Sequence, residues 1–190
     1  YGHSTGGIII SHMLTMAPER FGKVLMLDPV SPLGLQMNSS QVGVITAMKT
    51  DPDVCFAGLA SAAPTLFRPE TMVAGQMPQF ADATSPAQRE LFKKIVERTR
   101  VLSDGIWFGT PHNLGLEWDS GALAKRMPEM THEHLILFGK MDYWIPREHL
   151  DVMAAQLPNA KLEIFPYVGH SMNIEQPLLF ARVFGDFLRA

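Results

Sequence analysis

A serine hydroxyl becomes a nucleophile when the backbone exposes it and a neighbouring base takes its proton. The opening residues of this chain, Tyr1-Gly2-His3-Ser4-Thr5-Gly6-Gly7, meet the first condition. Gly2 and Gly6 stand two residues either side of Ser4, the spacing of a sharp strand-to-helix turn with the serine at its apex. Such a turn holds its serine in strained dihedrals. A side chain two positions away is expected to collide with it, hence glycine at both flanks. The amide of Thr5 then opens the following helix and points where an oxyanion would form.

The second condition is met late in the chain. His134-Leu135-Ile136-Leu137-Phe138 and Lys161-Leu162-Glu163-Ile164-Phe165 read as strands. The first leads into Gly139-Lys140-Met141-Asp142, the second into Pro166-Tyr167-Val168-Gly169-His170. Gly169 lets the backbone bend, so that His170 projects from the carboxyl end of its strand as the base. Asp142 would orient the imidazole and stabilise its charged form. Asp28, which closes the short apolar strand Val24-Leu25-Met26-Leu27, is the alternative acid, since active sites of open α/β sheets lie at carboxyl ends of strands.

Three segments together carry a resemblance: Gly2-His3-Ser4-Thr5-Gly6-Gly7, Phe138-Gly139-Lys140-Met141-Asp142 with Pro146, and Gly169-His170-Ser171-Met172 through Pro177. In this order they resemble the α/β-hydrolase superfamily, in particular its capped esterases, lipases and carbon–carbon bond hydrolases. The resemblance implies a Ser4, Asp142, His170 triad with the Thr5 amide in the oxyanion hole. It also implies a parallel sheet flanked by helices, with an inserted, mostly helical cap. That family places several strands, and the loop bearing a second oxyanion donor, ahead of the serine turn. The expectation is therefore that this chain is the C-terminal portion of such a fold, with the N-terminal half of the core lying upstream.

The elements that must position these residues follow from patterning. Residues 1–30 hold the serine turn, an apolar helix over Ile8–Ala17, expected to be buried all round, and a strand. Residues 31–130 lose the strand rhythm and carry repeated X-Pro turns, which predicts the helical cap. One helix there is explicit: Ser85, Pro86 and Gln88 form an S-x-x-Q capping box, and the helix runs to about Arg100. Leu91, Phe92, Ile95 and Val96 form its apolar stripe, with Arg89 and its charged neighbours facing water. Residues 131–190 return to strand and helix, with Pro146 and Pro177 opening the last two long helices.

A substrate pocket is expected around His3, Trp107, His112 and Met141, with His112 in a polar loop over Thr110–Gly115. The cap's methionines and aromatic residues suit an apolar or aromatic substrate portion. His12 reads as a partner-bonded helix residue and Cys55 as a small buried hydrophobe. His132 and His134 share a strand face but lack a third ligand, so no metal is expected. No organic cofactor is implied.

A net charge of −3 leaves no footprint for nucleic acid. With no apolar run of about eighteen residues, no membrane span is expected, and the setting is expected to be cytoplasmic. The partner is then a small molecule: an ester or related acyl compound cleaved through an acyl-enzyme. The same triad serves carbon–carbon bond hydrolases and cofactor-free perhydrolases, and a non-catalytic hydrolase-fold receptor is the reading outside enzymes.

Overall fold

A computed structural model describes all 190 residues. Its centre is a four-stranded sheet of β1 (Gly2–His3), β2 (Val24–Leu27), β3 (His134–Gly139) and β4 (Ala160–Phe165), paired in that order and parallel throughout. Every residue of β2 and β3 is buried, as expected for parallel strands covered on both faces.

Successive side chains alternate between the two faces. Val24, Met26, Ile136 and Phe138 form one face. They pack against Ile8 and Leu14 of α1 (Thr5–Met16). Leu25, Leu27, Leu135 and Leu137 form the other.

Between β2 and β3 come α2 (Ser39–Thr50), α3 (Pro52–Ser61), α4 (Pro86–Arg100) and α5 (Thr110–Ser120). This stretch supplies two separate cores. Met48, Cys55, Phe67, Phe92, Val96 and Trp107 pack together away from the sheet, around edge-to-face contacts of Phe56 with Phe67 and Phe92. Leu114, Leu123, Met127 and Met130 instead join the sheet face that α1 covers. After β3, α6 (Arg147–Gln156) adds Leu150 and Met153 to that face. After β4, the short α7 (Met172–Glu175) and then α8 (Pro177–Arg189) cover the opposite face with Met172, Phe180, Val183, Phe184 and Phe187.

Several expectations are met locally. The Ser85–Gln88 capping box is reciprocal, at 3.2 and 3.1 Å. His12 pairs with Glu117 at 2.8 Å, and Cys55 is fully buried.

Others are corrected. The apolar helix is not buried all round: Ile9 is 56% and Met16 82% exposed, because α1 lays only one side on the sheet. On α4, Phe92 and Val96 are buried but Leu91 is exposed. Arg89 does not simply face water. It donates to the carbonyls of Thr84 and Ala81 and sits over the Phe80 ring. The polar stretch Thr110–Gly115 is not a loop but the first half of α5, where Pro111 lies in the first turn and needs no amide donor. No helix is long and apolar enough to cross a membrane.

Candidate active site

Ser4 is the joint between β1 and α1. Its φ of 57° and ψ of −124° lie in a region that non-glycine residues rarely enter. Its amide donates to Leu27 O at 3.1 Å, and its carbonyl accepts from Gly7 and Val30, so the strained turn is fixed from both sides. The crowding at this turn differs from the simple flanking rule. A Cβ at Gly2 would meet Gly6 O at 2.6 Å and Ile10 Cδ1 at 2.7 Å. One at Gly7 would meet Pro29 Cβ at 2.2 Å, whereas one at Gly6 would meet nothing. The residue that must be small after Ser4 is therefore Gly7, because α1 starts flush against the Pro29-Val30 backbone. Thr5 occupies the first position of α1, where an amide has no intrahelical acceptor, and Ser4 provides no side-chain cap.

His170 and Asp142 form a buried pair, with Nδ1 of the imidazole 2.8 Å from Oδ2 of the carboxylate. Asp142 Oδ1 accepts from the amides of Trp144 at 2.6 Å and Ile145 at 3.3 Å. With one ring nitrogen held by Asp142, Nε2 of His170 is left to exchange a proton with a reacting group. The Ser4 hydroxyl is not hydrogen-bonded to it.

What links the serine turn to this pair is His3. Its Nε2 lies 2.6 Å from the carbonyl of His170, and the two rings sit 4.7 Å apart. Burial, then the neighbouring His170 charge, pushes His3 down to about 4. At neutral pH it is an uncharged ring that donates its Nε2–H to that carbonyl.

The loops carrying Asp142 and His170 meet backbone to backbone. Lys140 N–H donates to Phe165 O and Met141 N–H to Val168 O. A Cβ on Gly139 would fall 2.0 Å from Gly169 O, and one on Gly169 would fall 2.4 Å from Pro64 Cδ. Gly169 is therefore required by close approach; its φ is not in the left-handed region, so the bend predicted for it is not the reason.

Asp28, the alternative acid, is fully buried and has φ 41°. Its Oδ1 accepts from Gly139 N–H at 2.8 Å. Burial first, then the Asp142 charge, pushes its carboxyl up to about 9. The carboxylate that bonds His170 is Asp142, and Asp28 lies beside it.

Two residues at this site escape a reading of the sequence. Glu175 in α7 is buried. Its Oε1 accepts from the amides of Gly169 at 2.8 Å and Ser171 at 3.3 Å, either side of His170. Its Oε2 accepts from the amide and hydroxyl of Thr65, at 3.2 and 2.6 Å. Burial raises its carboxyl above the usual range although all four bonds act the other way. Trp144 stacks on His170 at 5.7 Å between ring centroids, and its Nε1 donates to Ser61 at the end of α3. The signal for Trp144 was its place two residues after Asp142. Glu175 lies within the Gly169–Pro177 segment, but its tie to the His170 loop gives no signal there, because its partner Thr65 is remote in sequence.

Of the expected pocket residues, His3 is at the site and half-buried Met141 precedes Asp142 in its loop. Trp107 is buried in the helical core with its indole N–H unpaired, and His112 is exposed on α5. His132 and His134 bond a carbonyl each, of Pro18 and His132 respectively. A groove of about 530 Å³ lined by His134, Asn159 and Lys161 lies at the amino ends of β3 and β4, opposite the serine.

The sequence model of the alpha/beta hydrolase family matches residues 1–183. A 2-hydroxy-6-oxononadienedioate/2-hydroxy-6-oxononatrienedioate hydrolase of Comamonas testosteroni is 23% identical over 98% of this chain and 61% of its own length. Esterase YbfF of Escherichia coli is 21% identical over 98% of this chain and 65% of its own. The chain thus spans just under two thirds of such relatives. Among solved structures, an esterase from Exiguobacterium antarcticum superposes with a TM-score of 0.69 at 21% identity, covering 100% of this chain and 65% of that one. This last likeness speaks to the fold.

Proposed function

The chain belongs to the alpha/beta hydrolase family, and from that premise we propose that it is a serine hydrolase acting on a carboxylic ester or related acyl bond of a small, partly apolar molecule. The observation that carries this reading is the buried His170–Asp142 pair beside a serine held at positive φ, joined through His3 to the His170 backbone. Ser4 Oγ attacks the substrate carbonyl while His170 Nε2 takes its proton. Asp142 holds Nδ1–H and offsets the charge on the ring. The Thr5 amide donates to the tetrahedral oxyanion, a contact of the kind whose loss costs about 10²–10³ in rate. His170 then gives its proton to the leaving group, and water, activated by the same nitrogen, releases the acyl group. Residues 31–130 act as the cap, with Trp144 and Ser61 connecting the α3 end of it to the base.

The test is hydrolysis of p-nitrophenyl acetate and butyrate by the native protein and by Ser4→Ala, with fluorophosphonate labelling of both. Turnover and labelling that vanish together in Ser4→Ala support the reading. A folded native protein that neither turns over ester nor takes the label sinks it. The relatives' names favour a second reading, carbon–carbon bond hydrolysis. It is checked with 2-hydroxy-6-oxo-6-phenylhexa-2,4-dienoate as substrate, and turnover of that compound with inert esters would replace the first reading.

A further inference from the structure

Asp28 has no task in the chemistry above, yet it holds one of only two non-glycine positive φ angles in the chain, the other being Ser4. Its Oδ1 is satisfied by the Gly139 amide. Its Oδ2 is buried and has no donor. On Asp142, by contrast, both oxygens already accept, Oδ1 from two amides and Oδ2 from His170. An oxygen of Asp28, one of Asp142 and a ring nitrogen of His170 all lie within 4.8 Å of one another. The other titratable groups facing Asp28 are Tyr1, just ahead of β1, and Glu175 on α7, with His3 behind His170. No lysine or arginine acts on it. Two ionised carboxylates this close, out of water and short of cations, repel strongly.

We propose that Asp28 is a neutral carboxylic acid whose Oδ2–H donates a hydrogen bond to Asp142, so that the two side chains carry one negative charge between them and Asp142 stays aimed at His170. The proton belongs on Asp28, because Oδ2 of Asp28 is the oxygen that lacks a donor. The upward shift of the Asp28 carboxyl, caused first by burial and next by Asp142, agrees in direction. Asp28 is a positioning residue: it acts on the reaction through Asp142. It is also a reserve acid. Once the charge at Asp142 is removed, Asp28 is free to ionise beside His170.

The kinetic part rests on the serine-hydrolase reading; the protonation part does not. The side-chain carboxyl carbons of ¹³C-aspartate-labelled Ser4→Ala protein are followed by NMR from pH 4 to 9, with Asp28→Asn assigning the signal. The expected result is an Asp28 carbon that stays in its protonated position through pH 7. An Asp28 carbon that titrates with the ordinary carboxylates overturns the proposal. On p-nitrophenyl butyrate, Asp28→Asn keeps a donor for Asp142 and an acceptor for Gly139, so it should lose at most about fivefold, and Asp28→Ala about 10²-fold. Asp142→Asn should keep at least about tenfold more activity than Asp28→Asn/Asp142→Asn. Asn no better than Ala, with both folded, overturns the positioning role. If the parent itself is inert on every substrate, the hydrolase reading fails and the carbon titration alone decides where the proton sits.

Discussion

Glu175 holds four donors on one buried carboxylate, and that makes the consequence of removing it calculable. Glu175→Ala strips the acceptor from the amides of Gly169, Ser171 and Thr65, while the Thr65 hydroxyl is free to turn elsewhere. A buried donor left unpaired costs about 1–3 kcal/mol. The buried Gly169 and Ser171 amides amount to about 2–6 kcal/mol and the part-buried Thr65 amide adds less, reduced by relief of the burial cost that already raises the Glu175 carboxyl. We expect a net loss of about 3–5 kcal/mol, or roughly 6–20 °C in unfolding midpoint for a protein of this size. Glu175→Gln supplies one acceptor oxygen and no charge. Facing its oxygen to Gly169 and Ser171, it orphans the part-buried Thr65 amide alone, a cost at the low end of the about 1–3 kcal/mol range.

The two amides lost in the Ala variant flank His170. At a temperature where both variants are folded, kcat on p-nitrophenyl butyrate should fall by about 10–10²-fold for Ala and less for Gln. Thermal unfolding followed by circular dichroism, with kcat measured alongside, checks both. An Ala variant as stable as the Gln variant, or one whose kcat equals the parent's, would show that this carboxylate does not hold the base loop.

Asp28 bears on pH. Its folded value of about 9 lies above the unfolded value near 3.9, so the folded state retains the proton longer. The stability it contributes is complete below about pH 4 and is lost as pH rises toward 9. Urea unfolding at pH 5 and pH 8 should show the parent losing more stability over that interval than Asp28→Asn; equal losses would contradict it. His3→Phe should slow ester hydrolysis by about tenfold through loss of the bond to the His170 carbonyl. Because His3 titrates near 4, the rate profile above pH 5 should keep its shape, and a missing inflection there would mean that His3 ionises in the working range. Gly7→Ala should destabilise by about 1–3 kcal/mol through the Pro29 clash, while Gly6→Ala meets open space and should unfold at or above the parent midpoint.

The strained turn at Ser4 and the pairing of Asp142 with His170 are legible because each lies in a short local pattern: a glycine-flanked turn, or a polar residue just after an apolar strand. The same locality explains the helix opening at Pro86. What was not legible depends on residues brought together from afar. Which glycine beyond Ser4 is crowded is decided by Pro29 and Val30. The need for glycine at 169 is set by Pro64, and the tie on the base loop by Thr65. Apolar content in α1 and at Leu91 signalled helix correctly but not which sides the sheet and the helical core would cover. Thr110–Gly115 reads as a loop because proline and glycine usually break helices, whereas Pro111 falls where a helix tolerates it.

The joint between Gly139 and Gly169 sets the spacing of acid and base by backbone thickness rather than by side-chain packing. The helical segment reaches this joint through Ser61, Pro64 and Thr65, with Gln88 bonding the carbonyls of Ile174 and Glu175. On the proposed function, with the helical segment as cap and His170 as base, substrate preference and proton handling become separable for recombination. A foreign segment grafted between β2 and β3 would have to leave Leu114, Leu123, Met127 and Met130 on the sheet and bring equivalents of residues 61–65 and of Gln88 to keep the His170 loop in place, which leaves α2 and its neighbours in the helical core as the part to exchange.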